Sequence, residues 1–177
     1  KGIRSATGKL VGIINSDDFY ENDAVEKIVK HYTNECYLIL YGMVRVIEDG
    51  KESAIHFFSH DFLRKRMIAH PACFITKAIY SEIQLYDTKY VSAADFDFML
   101  KLCDNNLVEF RPVYEVIANH RPDGISNTVK GNLDALRVRK NHGLIPLSSY
   151  WMSVISISAK NLVIGLLWGR NDKKKNH

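Results

Sequence analysis

The hydrophobic pattern opens with residues 2–7, which read as the end of a helix. A turn follows at Gly8 and Lys9, and then Leu10, Val11, Gly12, Ile13 and Ile14 run without a break. A run with no polar face predicts a strand over 10–15 that is covered on both sides. It stops at Asn15, Ser16, Asp17 and Asp18. Ala24, Val25, Ile28 and Val29 then recur at helical spacing, which predicts a helix over 24–32 with those four inward and Asp18 or Asn22 as its cap. Residues 37–47 are rich in β-branched and aromatic side chains, break at Glu48, Asp49 and Gly50, and resume over 53–58 as the antiparallel partner. Residues 59–67 are mixed and basic, and a short strand over 70–75 is entered through a turn that Pro71 fixes. Phe96, Met99, Leu100 and Cys103 predict a helix over 93–105 with Asp95 and Asp97 in its first turn, where the helix dipole favours acids. Short strands are expected over 107–110 and 114–119, a turn-rich loop over 121–126 and a polar helix over 127–141. Residues 147–169 are strongly apolar, with a trail of serines.

Alternating strands and helices place the chain in the α/β class. Its 177 residues, 46% hydrophobic and 25% charged, suffice for one domain with a real core. The expected organisation is a body over 1–145 and an apolar helical tail with a basic end over 146–177. Of the net charge of +4, Arg170, Lys173, Lys174 and Lys175 supply as much as the whole excess. The remainder is near neutral, which argues against a nucleic-acid surface. Cys36, Cys73 and Cys103 are odd in number and widely spaced, so neither a disulfide framework nor a zinc site is indicated. They are expected to be small core residues in a reducing cytosol.

Two features carry chemistry. Asp17 and Asp18 lie at the end of an apolar strand, where ligands bind in open α/β sheets. Hard divalent cations take carboxylate oxygens and share them with substrate phosphates, so the pair is a candidate anchor for Mn²⁺ or Mg²⁺. The competing explanation is a turn whose aspartates cap the next helix. Asp95 and Asp97 form a second acidic cluster, for which a dipole-stabilised helix start is the competing explanation. His70 before Pro71 also fits an ordinary turn histidine, and Arg121 a surface charge; His56 and His60 have no companion acids and receive no role.

Taken in order, Lys1-Gly2-Ile3, Ala6-Thr7-Gly8, Asn15-Ser16-Asp17-Asp18, His70-Pro71-Ala72-Cys73-Phe74, Ala94-Asp95-Phe96-Asp97 and Gly124-Ile125-Ser126 form a pattern over residues 1–130. This order resembles the inverting glycosyltransferases of family 2, with the GT-A fold. The resemblance implies a partial GT-A mixed sheet flanked by helices. It also implies that the strands and helix holding the nucleotide's base and ribose lie before Lys1. One departure is Ala94, where many relatives carry Glu.

The same resemblance assigns roles. Asp18 would contact the metal directly, and Asp17 the ribose or a metal-bound water. Asp95 would be the general base that takes a proton from the acceptor hydroxyl as its oxygen attacks the anomeric carbon, inverting the configuration. Arg121 and Ser126 would lie on the loop over the diphosphate, since a guanidinium suits phosphate oxygens. His70 and Asp97 would stand on the acceptor side, Asp97 from the helix start. The expected donor is a nucleotide-diphospho-sugar, a UDP-sugar in the first instance, and the acceptor a glycan or lipid-linked sugar.

The alternatives are a catalytically inactive piece that acts as a binding domain and, less favoured, a metal-dependent phosphohydrolase, for which no Gly-rich phosphate loop is visible. Trp151 and Trp168 bracket an apolar stretch followed by basic residues, the composition of an interfacial anchor. Lys160, Asn161 and the serines Ser153, Ser156 and Ser158 argue against a full membrane span. The expectation is a cytoplasmic protein held peripherally at the inner face of the membrane through 147–169. Docking of this helix on a preceding part of the protein is the competing reading.

Overall fold

A computed structural model describes residues 1–122 and 128–172, with side chains as far as residue 160. Helix α1 (Gly2–Ser5) precedes strands β1 (Leu10–Gly12) and β2 (Phe19–Tyr20), helix α2 (Ala24–Lys30), the hairpin of β3 (Leu38–Glu48) and β4 (Lys51–His56), and strand β5 (Cys73–Thr76). Helix α3 (Ala94–Cys103), strand β6 (Glu109–His120) and helices α4 (Val129–Asn141) and α5 (Leu147–Asp172) complete the order. The chain divides into two compact units, Lys1–Lys89 with Ala94–Gly124 and Tyr90–Ala93 with Ile125–His177.

The first unit holds the sheet, in the order β1-β5-β3-β6-β2 with β4 on the free length of β3. The β3–β6 pair is parallel and the other pairs are antiparallel, giving the mixed sheet expected of a partial GT-A fold. Leu38, Ile39, Leu40 and Tyr41 are all buried because β3 is central and covered on both faces. Ala24 and Ile28 of α2 pack on one face with Leu38, Leu40, Val113 and Ile117. Gly42 lets β3 and β6 approach closely there: a Cβ at this position would collide with the Ile117 side chain and lie 2.9 Å from the Glu115 carbonyl oxygen.

Several expectations are corrected. The strand predicted over 10–15 spans only Leu10–Gly12 and lies at a sheet edge, with Gly12 exposed. α2 ends at Lys30, its N-cap is Asp23 without a side-chain cap bond, and Asp23 instead pairs with Lys27 at 2.9 Å. Val25 and Val29 face outward, 60% and 55% exposed, because the sheet meets only the Ala24–Ile28 stripe. The strand predicted over 70–75 begins at Cys73, since Pro71 holds His70–Ala72 in a 3₁₀ turn. The two short strands expected after α3 are one strand, β6. It tolerates Pro112 because β2 covers only Ala118 and Asn119 on its outer side and its register with β3 shifts beside that point. Of the cysteines, Cys73 is buried, Cys103 partly so, and Cys36 is exposed in the turn before β3.

The second unit is built on α4. Its N-cap Thr128 accepts a hydrogen bond from the Gly131 amide at 3.1 Å, and the buried Asp134 accepts from the amides of Val91 and Ser92 at 2.7 and 3.2 Å. The apolar segment is helical throughout α5. Leu147, Trp151, Met152 and Ile155 form an exposed stripe along it. Among the described residues no helix is long and apolar enough to cross a membrane.

Candidate active site

Asp18 closes the turn between β1 and β2, and its side chain is wholly buried. One carboxylate oxygen, Oδ2, accepts from the Asn15 amide at 3.0 Å. The other, Oδ1, lies 2.9 Å from His120 Nδ1 and accepts from the Arg121 backbone N–H at 3.2 Å. Strand pairing makes this convergence possible. β2 binds the end of β6 through Phe19↔Asn119 and Tyr20↔Ala118, so Asp18 falls beside His120 and Arg121. Glu21 fastens the junction, accepting from Asn119 at 2.9 Å and from Arg45 at 3.2 Å. The site therefore lies at the carboxyl end of β6, a strand parallel to its neighbour, which is the edge where such sheets bind ligands.

His70, in the turn before β5, is half-buried. Its Nε2 lies 2.8 Å from the Tyr86 hydroxyl. Burial lowers its pKa, while the charges of Asp95 and then Asp18 pull it upward. The charges of both carboxylates reach one imidazole, although the two are far apart along the chain. Asp95 opens α3 with a half-buried side chain whose Oδ1 accepts from the Phe96 amide at 2.8 Å. Its charge also reaches the Cys73 thiol, which burial first and then Asp95 push upward.

The other sequence candidates divide. Asp17 is half-buried beside Asp18. Arg121 belongs to the cluster through its backbone, and its guanidinium lies 5.6 Å from the Phe19 ring centroid. Asp97 is buried inside α3, with Lys101 at 2.8 Å, one turn on. Ser126 lies outside the described residues, as does most of the loop predicted over 121–126. His120 was missed by the sequence reading. It stands 102 positions from Asp18, and only the β2–β6 register joins them. Tyr86 was missed as well, because nothing in the sequence shows that the chain after residue 84 folds back on His70, 16 positions earlier.

The model of glycosyl transferase family 2 matches residues 1–90, which carry Asp17, Asp18, His70 and Tyr86. The chain belongs to this family. A PGL/p-HBAD biosynthesis glycosyltransferase of Mycobacterium bovis (strain BCG / Pasteur 1173P2) is 28% identical over 164 residues, covering 88% of this chain and 64% of its own length. A chondroitin synthase of Pasteurella multocida is 30% identical over 146 residues, 79% of this chain and 15% of the relative. A glycosyltransferase of Methanocaldococcus jannaschii is 22% identical over 161 residues, 85% of this chain and 53% of the relative. The chain thus spans about two thirds or less of the length of each of these relatives.

Proposed function

We propose that this chain is the acceptor-side part of an inverting glycosyltransferase that moves a hexose from a nucleotide-diphosphate donor to a glycan or lipid-linked acceptor. The observation that carries the reading is the family 2 match over residues that hold Asp17, Asp18 and His70, with Asp18 set beside His120 and Arg121 at the ligand-binding edge of the sheet. Asp95 is the general base and His70 a neighbour that touches the acceptor. Asp97 supports the acceptor side indirectly, by fixing the first turns of α3 through Lys101. Arg121 and Ser126 belong to the diphosphate side, where a guanidinium is suited to phosphate oxygens.

The Asp18 cluster fits a small divalent cation, Mn²⁺ or Mg²⁺. Oδ1 of Asp18 and Nδ1 of His120 converge at 2.9 Å, and an ion held by both would take the place of the hydrogen bond between them. Asp18 and His120 would hold the ion, with Asp17 acting through water. Among the described residues no three His, Cys, Asp or Glu side chains form a ready cage, so the remaining ligands would be donor phosphates and water. When bound, the ion neutralises charge on the departing diphosphate.

Calorimetric titration of the full-length protein with a UDP-sugar and Mn²⁺ is expected to show saturable binding that chelation removes. No heat of binding under any order of addition would favour the inactive binding domain.

The second unit supports membrane contact. Residues 125–177 carry nine basic and two acidic side chains, +7 in a chain whose whole net charge is +4, so the remainder is −3. The exposed Leu147, Trp151, Met152 and Ile155 stripe lies in this same basic unit. Apolar side chains and lysines or arginines together suit an anionic lipid surface, which supports a peripheral position at the cytoplasmic face. The full-length protein is expected to float with anionic liposomes at low salt and to be released by raising the salt. Protein that stays at the bottom of the gradient at low salt refutes the contact and favours docking of α5 on another part of the protein.

A further inference from the structure

We propose that Tyr86 is a positioning residue: its phenol donates to Nε2 of His70, fixing that ring in one orientation with its proton on Nδ1. The two atoms are 2.8 Å apart, and a second phenol, Tyr80, lies 3.3 Å behind Tyr86. Tyr86 is itself immobilised, its ring centroid 4.4 Å from that of Phe98, on which Tyr80 also stacks at 5.3 Å with the planes 7° apart. The Tyr86 and His70 rings meet edge-on at 71°. A phenol packed this way cannot follow a swinging imidazole, so the hydrogen bond sets the imidazole's angle as well as its tautomer.

The shorter of the two contacts at the Tyr86 hydroxyl sets the direction of the bond. Burial raises the Tyr86 phenol, which keeps its one proton, and two acceptors lie within reach of it: Nε2 of His70 at 2.8 Å and the Tyr80 oxygen at 3.3 Å, of which the nearer is assigned the bond. The charged groups acting on His70 are Asp95 and Asp18, and burial outweighs their pull toward the cation. A neutral imidazole has one donor and one acceptor nitrogen. With Nε2 accepting from Tyr86, Nδ1–H is the donor left for a substrate oxygen in the field of the two carboxylates. That last use rests on the reading of His70 as a group facing the substrate, whereas the clamp itself does not.

The test is nitrogen-resolved NMR of the full-length protein labelled at histidine. His70 is expected in the Nδ1–H form, with a titration midpoint below 6.5. Tyr86→Phe keeps the ring on Phe98 but should mix the two tautomers and move the midpoint up toward 6.5. Tyr80→Phe, which keeps the direct bond, should have a smaller effect in the same direction and serves if Tyr86→Phe does not fold. An Nε2–H form in the unmodified protein overturns the proposal. So does a Tyr86→Phe variant whose His70 signals are unchanged, or, where that variant does not fold, an unchanged His70 in Tyr80→Phe. Addition of UDP and Mn²⁺ together with a lipid-linked sugar separates the two readings. If Tyr86→Phe alters His70 but these ligands leave its signals unmoved, the clamp stands and the substrate-facing role of His70 falls.

Discussion

Asp95→Asn in the full-length protein is expected to lower sugar transfer by about 10²–10⁴-fold, the range for loss of a positioned general base, while binding of the UDP-sugar stays within a few-fold. The substitution isolates proton transfer because it changes little else. An Asn oxygen can still accept from the Phe96 amide, so the start of α3 keeps its local bond. The Asp97–Lys101 pair, one turn further into the helix, is untouched. What disappears is a negative charge whose field reaches His70 and, on the proposed reading, the group that takes the proton of the acceptor hydroxyl. Asp95 is held on a buried helix, half-exposed at its first turn, an arrangement that places one carboxylate rigidly without a second acid at Ala94. Turnover within tenfold of the unmodified enzyme would remove Asp95 from the base role. Lost donor binding would instead make it part of the donor pocket. The kcat and the calorimetric Kd, measured on the same preparation, separate these outcomes.

What could be read from the chain beforehand was whatever depends on near neighbours. Asp49-Gly50 specified the β3–β4 turn because both residues must adopt positive φ, and they do so at 51° and 75°. The apolar spacing around Phe96 specified α3, and the runs around Val11 and Leu38 specified strands. What could not be read depends on long-range partners. Val25 and Val29 obey the helical pattern as well as Ala24 and Ile28 do, but the sheet offers contact to only one stripe. Nothing local distinguishes an edge strand from a central one, so β1 could not be placed. His120 has no neighbouring acid in sequence and acquires one only through strand register. The acids themselves were legible because a strand end and a helix start are recognisable sites for a carboxylate, whereas the groups that answer them come from distant elements.

Asp18 carries the second large effect, and it concerns stability together with binding. Its buried carboxylate is the common acceptor for the Asn15 amide in the turn after β1 and for the adjacent His120 ring and Arg121 backbone N–H at the end of β6. Asp18→Ala leaves all three donors without their acceptor, at about 1–3 kcal/mol for each buried donor stranded. Asp18→Asn keeps the volume, but its amide must turn an NH₂ toward one of these donors, which costs about 1–3 kcal/mol for the bond left unmade. Urea unfolding of both variants should rank them in that order, and a cost below about 1 kcal/mol for Asp18→Ala would mean that the cluster does not hold the β2–β6 junction. Mn²⁺ titration of the folded Asp18→Asn protein addresses the other half. If the cation shares Oδ1 with His120, its affinity should fall at least tenfold in this variant. His120→Gln should weaken it too, while sparing the Asn15 and Arg121 bonds. Unchanged Mn²⁺ affinity in both would make Asp18 a structural latch and leave Asp17 to meet the ion. The ranking of these variants thus distinguishes an acid that assembles the site from one that also works in it.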